Sequence, residues 1–284
     1  RIPKMWLKFD ANILCSALIG GFLLTGCSTF DETPPATNAT AASPSGEVIA
    51  IADELRAGGD NQAAAALYLG EVRRNPDDLT ALVGLAESLR LAGDCTGASG
   101  YYDRALALSP ADPQALAGYG RCAIALDRPE LAARLLAQAV EASPEPSPGL
   151  LSATGVAHDL IGDHDTAQLY YRRGLTETPQ RRSLIANLAL SLALQGHFGE
   201  AGTLLRSRAD APGATAAERQ NLALVLALSG ARAEALRYGR MDLSPDDAAR
   251  NLTVISELAL DLYGADPARQ AEARRALLTR QSGA

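Results

Sequence analysis

The chain has few aromatic residues. One tryptophan, four phenylalanines and eight tyrosines make up 5% of it, while alanine and leucine dominate. Without large rings, a core closes by close helix contact, each unit burying its face on its neighbours, which suits a solenoid. Histidine is scarce too. His158, His164 and His197 are the three present, and none has a second His or Cys at ligand spacing, so no metal site is expected. No strand-length run alternates apolar and polar residues, so β-structure has no candidate. Basic residues are outnumbered: the formal charge is −7, and losing Arg1, Lys4, Lys8 and Asp10 with a leader deepens it. An acidic body argues against nucleic acid as the main partner. Serines are scattered, with no nucleophile elbow. Gly118-Tyr119-Gly120-Arg121-Cys122-Ala123 formally fits a dinucleotide fingerprint, but it follows no strand, and its glycines read as small residues for close helix contact. The expectation is a protein that is not an enzyme, with no cofactor and no small-molecule substrate.

What is present is periodicity. In Leu79–Pro110, Leu82, Leu85, Ala86 and Leu89 recur at helical steps. Gly93-Asp94 interrupts them, and a second stripe follows at Ala98, Tyr101, Tyr102, Ala105 and Leu106 before Pro110. This is a helix–turn–helix unit, and it recurs in register. Gly59-Asp60, Ala64, Tyr68 and Pro76 precede it in phase; Leu116, Tyr119, Gly120, Ala132, Leu136, Ala139 and Pro144 follow. After one inserted residue in Glu145–Pro148, the phase resumes at Leu151, Gly155, Gly162-Asp163, Ala167, Tyr171 and Pro179. Two more units carry Ile185, Leu188, Ala189, Gly196 and Ala201, then Leu222, Leu226, Gly230 and Ala235. The pattern resembles the tetratricopeptide repeat, whose period is about 34 residues. The expected fold is therefore all-α: a right-handed TPR-type superhelix, with six repeats over residues 47–245 and capping helices over 246–284. Ser244-Pro245-Asp246-Asp247 supplies a cap, a proline and acids for one helix start, and Asp266-Pro267 starts another.

In tetratricopeptide proteins the first helices of successive repeats line the concave face. There the second and third repeats offer Glu87, Arg90, Gln114 and Arg121, a mixed polar set. The fifth and sixth are near copies, Asn187–Leu194 and Asn221–Leu228, apolar on nearly every face. A helix apolar all round is covered all round. One covering is the chain's own tail, through Ala248, Leu252, Ile255, Ala259 and Leu262. The other is a partner segment held by Asn187, Leu190, Leu194, Gln220, Asn221, Leu224 and Leu228. Cys95 and Cys122 fall on helices packed side by side, either bridged or simply small core residues.

The first residues read as a leader, with Met5 as the start. Lys8 supplies positive charge, and Ile13–Leu24 is short of the roughly 20 residues a spanning helix needs, but fits a secretory segment. Leu24-Thr25-Gly26-Cys27 resembles the bacterial lipobox, which implies a signal peptide over 1–26 and a diacylated Cys27. By resemblance to lipoproteins of enteric bacteria, Ser28 in place of Asp implies the outer membrane, facing the periplasm. Residues 27–46, rich in Thr, Ala, Pro and Ser, read as a flexible tether.

Two C-terminal stretches narrow the family. Arg219-Gln220-Asn221-Leu222-Ala223-Leu224 with Ser229-Gly230, then Asp242-Leu243-Ser244-Pro245 with Ala248 and Asn251, resemble the TadD lipoproteins of the Flp/Tad pilus system. That resemblance, over roughly Val48–Leu262, implies a non-enzymatic outer-membrane assembly factor. Its expected partner is the pilus secretin or another secretion component. The alternative is an outer-membrane adaptor for peptidoglycan enzymes.

Overall fold

The computed structural model describes residues 44–264 and 266–281. The leader, Cys27 and the tether up to residue 43 lie outside the described residues. Among the described residues all regular structure is helical, and no helix is long and apolar enough to cross a membrane. The helices pair as hairpins: α1 (Pro44–Ala57) with α2 (Asn61–Arg74), α3 (Leu79–Leu91) with α4 (Cys95–Leu108), and α5 (Pro113–Ala125) with α6 (Pro129–Ala142). Then come α7 (Pro148–Leu160) with α8 (His164–Glu177), α9 (Arg182–Leu194) with α10 (Phe198–Ala209), and α11 (Ala216–Leu228) with α12 (Arg232–Gly239). Two further helices follow, α13 (Pro245–Leu262) and α14 (Pro267–Gln281). The first helix opens at Pro44, so Pro44–Gly46 belong to the fold and not to the tether. Proline suits a helix's first turn, where its missing N–H has no partner to lose.

The hairpin turns share one backbone solution. Gly59, Gly93, Gly162, Gly196 and Gly230 all adopt φ between 83° and 88° at the same place, just past the first helix. The region is left-handed, which glycine enters without steric cost. In five of the hairpin and inter-hairpin turns an aspartate then caps the next helix: Asp60, Asp78, Asp94, Asp112 and Asp163 accept the N–H of Ala63, Ala81, Gly97, Ala115 and Thr166. The third hairpin departs from the rule. Asp127 stands where the others have glycine, at φ 60°, and Arg128 follows without a side-chain cap. A non-glycine residue held there costs on the order of 1 kcal/mol or more.

The core forms where hairpins nest. Ala64, Ala98, Ala132, Ala167 and Ala201, one per second helix, are fully buried, so the backbones meet closely. One turn on, Tyr68, Tyr102, Leu136, Tyr171 and Leu205 fill what the alanines leave. Glycines on the first helices receive these rings. A Cβ on Gly118 would lie 2.2 Å from the Tyr102 hydroxyl, one on Gly120 2.6 Å from Leu136, and one on Gly155 2.4 Å from Tyr171. The glycines of the apparent dinucleotide fingerprint are thus sockets for neighbouring side chains. Each buried tyrosine hydroxyl needs an acceptor. Tyr68 donates to Asp53 at 2.7 Å, Tyr102 to Glu87 at 2.8 Å, Tyr171 to Asp159 at 2.9 Å and Tyr238 to Asp210 at 2.7 Å. Burial, then the Asp53 bond, pushes Tyr68 up to about 12. Cys95, opening α4, and Cys122, within α5, are joined by a disulfide with Cα atoms 5.0 Å apart.

Candidate functional site

First helices contact first helices: α1 meets α3, α3 meets α5, α5 meets α7, α7 meets α9 and α9 meets α11. They therefore form one continuous wall, and the side chains on its free face make up the groove.

At α3 and α5 the wall is polar and built as a unit. Glu87 takes two bonds from Arg90, Nε at 2.9 Å and Nη2 at 2.5 Å, and a third from Tyr102. Burial alone would raise the Glu87 carboxyl; the bonds from Arg90 outweigh it and hold it below the usual range. Arg121 lies beside this pair. Burial, and next the Arg90 charge, lower its affinity for its proton. Arg90 thus pairs with the carboxylate and Arg121 adds a second positive charge nearby, a local surplus of positive charge on an acidic protein.

At α9 and α11 the wall is apolar and occupied. Leu190 is 1% exposed, Leu194 8% and Leu228 5%; Asn187 is buried and donates to Ser152 of α7 at 3.0 Å. Asn221 and Leu224 are half-buried. Gln220 reaches the Gly239 carbonyl at 3.4 Å, and the neighbouring Arg219 pairs with Asp242. The structure therefore does not gather these residues into one open patch. On α11 the chain's own tail is the cover: α13 packs on α11 and α12 through Ala248 and Leu252, α14 packs on α7, and α9 itself is enclosed by α7, α8, α10 and α11. Tyr263, between the two tail helices, donates to the Ala193 carbonyl at 2.6 Å and meets Phe198 edge-on at 5.6 Å. Gln220, Leu224, Asn251 and Ile255 line a slit of about 30 Å³ between α11 and α13.

A larger cleft of about 470 Å³ lies between α9, α10 and the loop before α11. Its charged groups, Arg182, Arg208 and Glu218, pair with one another. Burial would raise Glu218, but the Thr215 N–H, Arg208 and the Thr215 hydroxyl outweigh it and hold the carboxyl at about 2. Sequence reasoning missed one more cluster. Asp159, fully buried, accepts from His164 Nδ1 at 2.7 Å, Ser191 at 2.7 Å and Tyr171 at 2.9 Å. The His164 ring and the Ser191 hydroxyl both address the carboxylate, and Ser191 also lies 3.5 Å from the His164 carbonyl, so the set ties α7, α8 and α9 together. Its sequence signal was a carboxylate one hairpin arm before a buried tyrosine. His158 pairs with Asp163 at 3.1 Å. Among the described residues no group of three His, Cys, Asp or Glu could hold a metal ion.

The family described as "Tetratricopeptide repeat" matches residues 49–113 and 89–152, and "Tetratrico peptide repeat" matches 149–248. The uncharacterized protein y4yS of Sinorhizobium fredii is 36% identical over 88 residues, 31% of this chain; the chain spans about half of that relative's length (47%). Among solved structures, PilW, a widely conserved type IV pilus biogenesis factor, superposes with a TM-score of 0.63 at 20% identity, over 76% of this chain and 99% of its own. PilF of Pseudomonas aeruginosa gives 0.59 at 17%, over 74% and 97%. At these identities the likeness is one of fold.

Proposed function

Because the chain belongs to the tetratricopeptide repeat family, we propose that it is a protein-interaction scaffold of Flp/Tad pilus assembly, lipid-anchored at the outer membrane and facing the periplasm. The observation that carries the reading is the groove: a continuous wall of first helices, polar and positively biased at Glu87, Arg90 and Arg121, apolar further on. Such a surface holds an extended or helical segment of another protein. Three further features support the pilus assignment. Leu24–Cys27 resembles a lipobox, the stretch from Arg219 to Asn251 resembles TadD, and the fold is shared with PilW, itself a pilus biogenesis factor. In this reading Cys27 carries the acyl chains, which anchor through buried methylenes at roughly 0.8 kcal/mol each. The groove then holds a segment of the secretin, or of another secretion component, while it localises or multimerises. Deleting the gene tests this. The expected result is loss of surface Flp pili and fewer secretin multimers; normal pili and multimers in the deletion strain overturn it.

A further inference from the structure

The tail helix α14 is seated on a feature the repeats build three times over. Tyr263 bonds the Ala193 carbonyl in the last turn of α9. Arg274 lies against Gly162, just past the end of α7, where a Cβ would meet its guanidinium carbon at 3.3 Å. Arg275 pairs with Asp127, just past the end of α5, at 2.5 Å. The tail thus runs along the C-terminal ends of three neighbouring first helices. Aligned peptide dipoles leave partial negative charge at helix C-terminal ends, and together these three favour cations. The helix that answers them brings Arg274 and Arg275, while its Arg269 pairs with Asp261 and Asp266 of the tail. Its apolar seam is Ala273, Leu277 and Leu278, all buried in one cluster with Val156 and Leu160 of α7.

Asp127 shows that the rim is specialised. It is the non-glycine residue with positive φ among the described residues, at a position that is glycine in the other five hairpins. The strained aspartate offers Arg275 a carboxylate that glycine could not. The seat is nonetheless imperfect, because Arg274 Nε is buried without a hydrogen-bond partner. An unmet buried donor favours exchange for a helix that fits better.

We propose that this rim, the C-terminal ends of α5, α7 and α9 with Asp127, is the docking site for a basic amphipathic helix of a partner protein, and that α14 is the resident occupant which that helix displaces. The partner helix presents a small residue and two leucines at the spacing of Ala273, Leu277 and Leu278, with an arginine or lysine set to meet Asp127. The inference deepens the scaffold reading and rests on it for the existence of a partner. A tethered occupant lowers the apparent affinity of any guest by the fraction of time the site is empty.

The test uses the full chain and a fluorescein-labelled peptide of residues 266–281 as probe, read by anisotropy. The chain with Leu277→Asp and Leu278→Asp should bind the probe at least tenfold more tightly than the parent chain. Arg275→Glu, a milder change on a half-exposed side chain, should raise binding about threefold and covers the case in which the double variant does not fold. Adding Asp127→Lys to either released chain should weaken the probe, and a probe carrying Arg275→Glu should recover the loss. Equal binding by parent and released chains, or none by either, overturns the proposal. So does a released chain that dimerises and excludes the probe, which would make a second copy the occupant. These outcomes are read on purified protein and are independent of whether the gene deletion affects pili.

Discussion

Single residues set how closely the hairpins can approach. Gly118 and Gly100 make a matched pair. A methyl on Gly118 collides with the Tyr102 hydroxyl, whose ring cannot move because it is fully buried. A methyl on Gly100, exposed on α4, meets nothing within 4 Å. Gly118→Ala should therefore destabilise by about 1–3 kcal/mol, as overpacking does. Gly100→Ala should stabilise by roughly 0.5–1 kcal/mol through helix propensity. Denaturant unfolding of both variants checks the pair. Glu218 gives a prediction with a pH sign. Its folded value of about 2 lies below the unfolded value of roughly 4.3, so its contribution is complete above the latter and is lost as pH falls from one to the other. Glu218→Gln should cost about 1–2 kcal/mol at neutral pH, since it weakens a capping box and the Arg208 pair. The gap between variant and parent should narrow as pH falls below about 4 and close near the folded value of about 2.

At the scale of elements, the second and third hairpins are tied covalently, the later ones by packing, hydrogen bonds and ion pairs. The Cys95–Cys122 bridge spans 27 residues and joins consecutive hairpins. Reducing it should lower stability by about 2–4 kcal/mol by freeing the unfolded chain. Urea unfolding with and without reductant measures this; coincident curves would count against the bond. The hairpins themselves were legible in the sequence because they repeat the same local devices, glycine at five of the six turns and alanine at the crossing. The starts of α13 and α14 were legible for the same reason: Ser244-Pro245 and Asp266-Pro267 are local signals. Pro44–Gly46 misread as tether because its composition is that of a linker, while its helix depends on packing against α2 and α3. The path of the tail was not legible. Arg275 and Asp127 are distant in the chain and obey no period, and an aspartate in a turn looks like any solvated one. The apolar walls of α9 and α11 announced a cover and left the tail and a partner segment as its two candidates; on α11 the tail helix α13 is packed there.

At the scale of the whole molecule, the wall of first helices is covered by the tail at α11 and charged at α3 and α5. Partner contact should begin at the charged half, around Arg121, and reach the rim when α14 yields. The most direct measurement is photo-crosslinking in intact envelopes from a probe at Arg121, with a control probe at Leu169, a leucine of α8 that is 68% exposed. The account predicts that the Arg121 probe captures the pilus secretin or another secretion component and the Leu169 probe does not. Capture of that partner from Leu169 alone, or of peptidoglycan enzymes from Arg121 in its place, would contradict it.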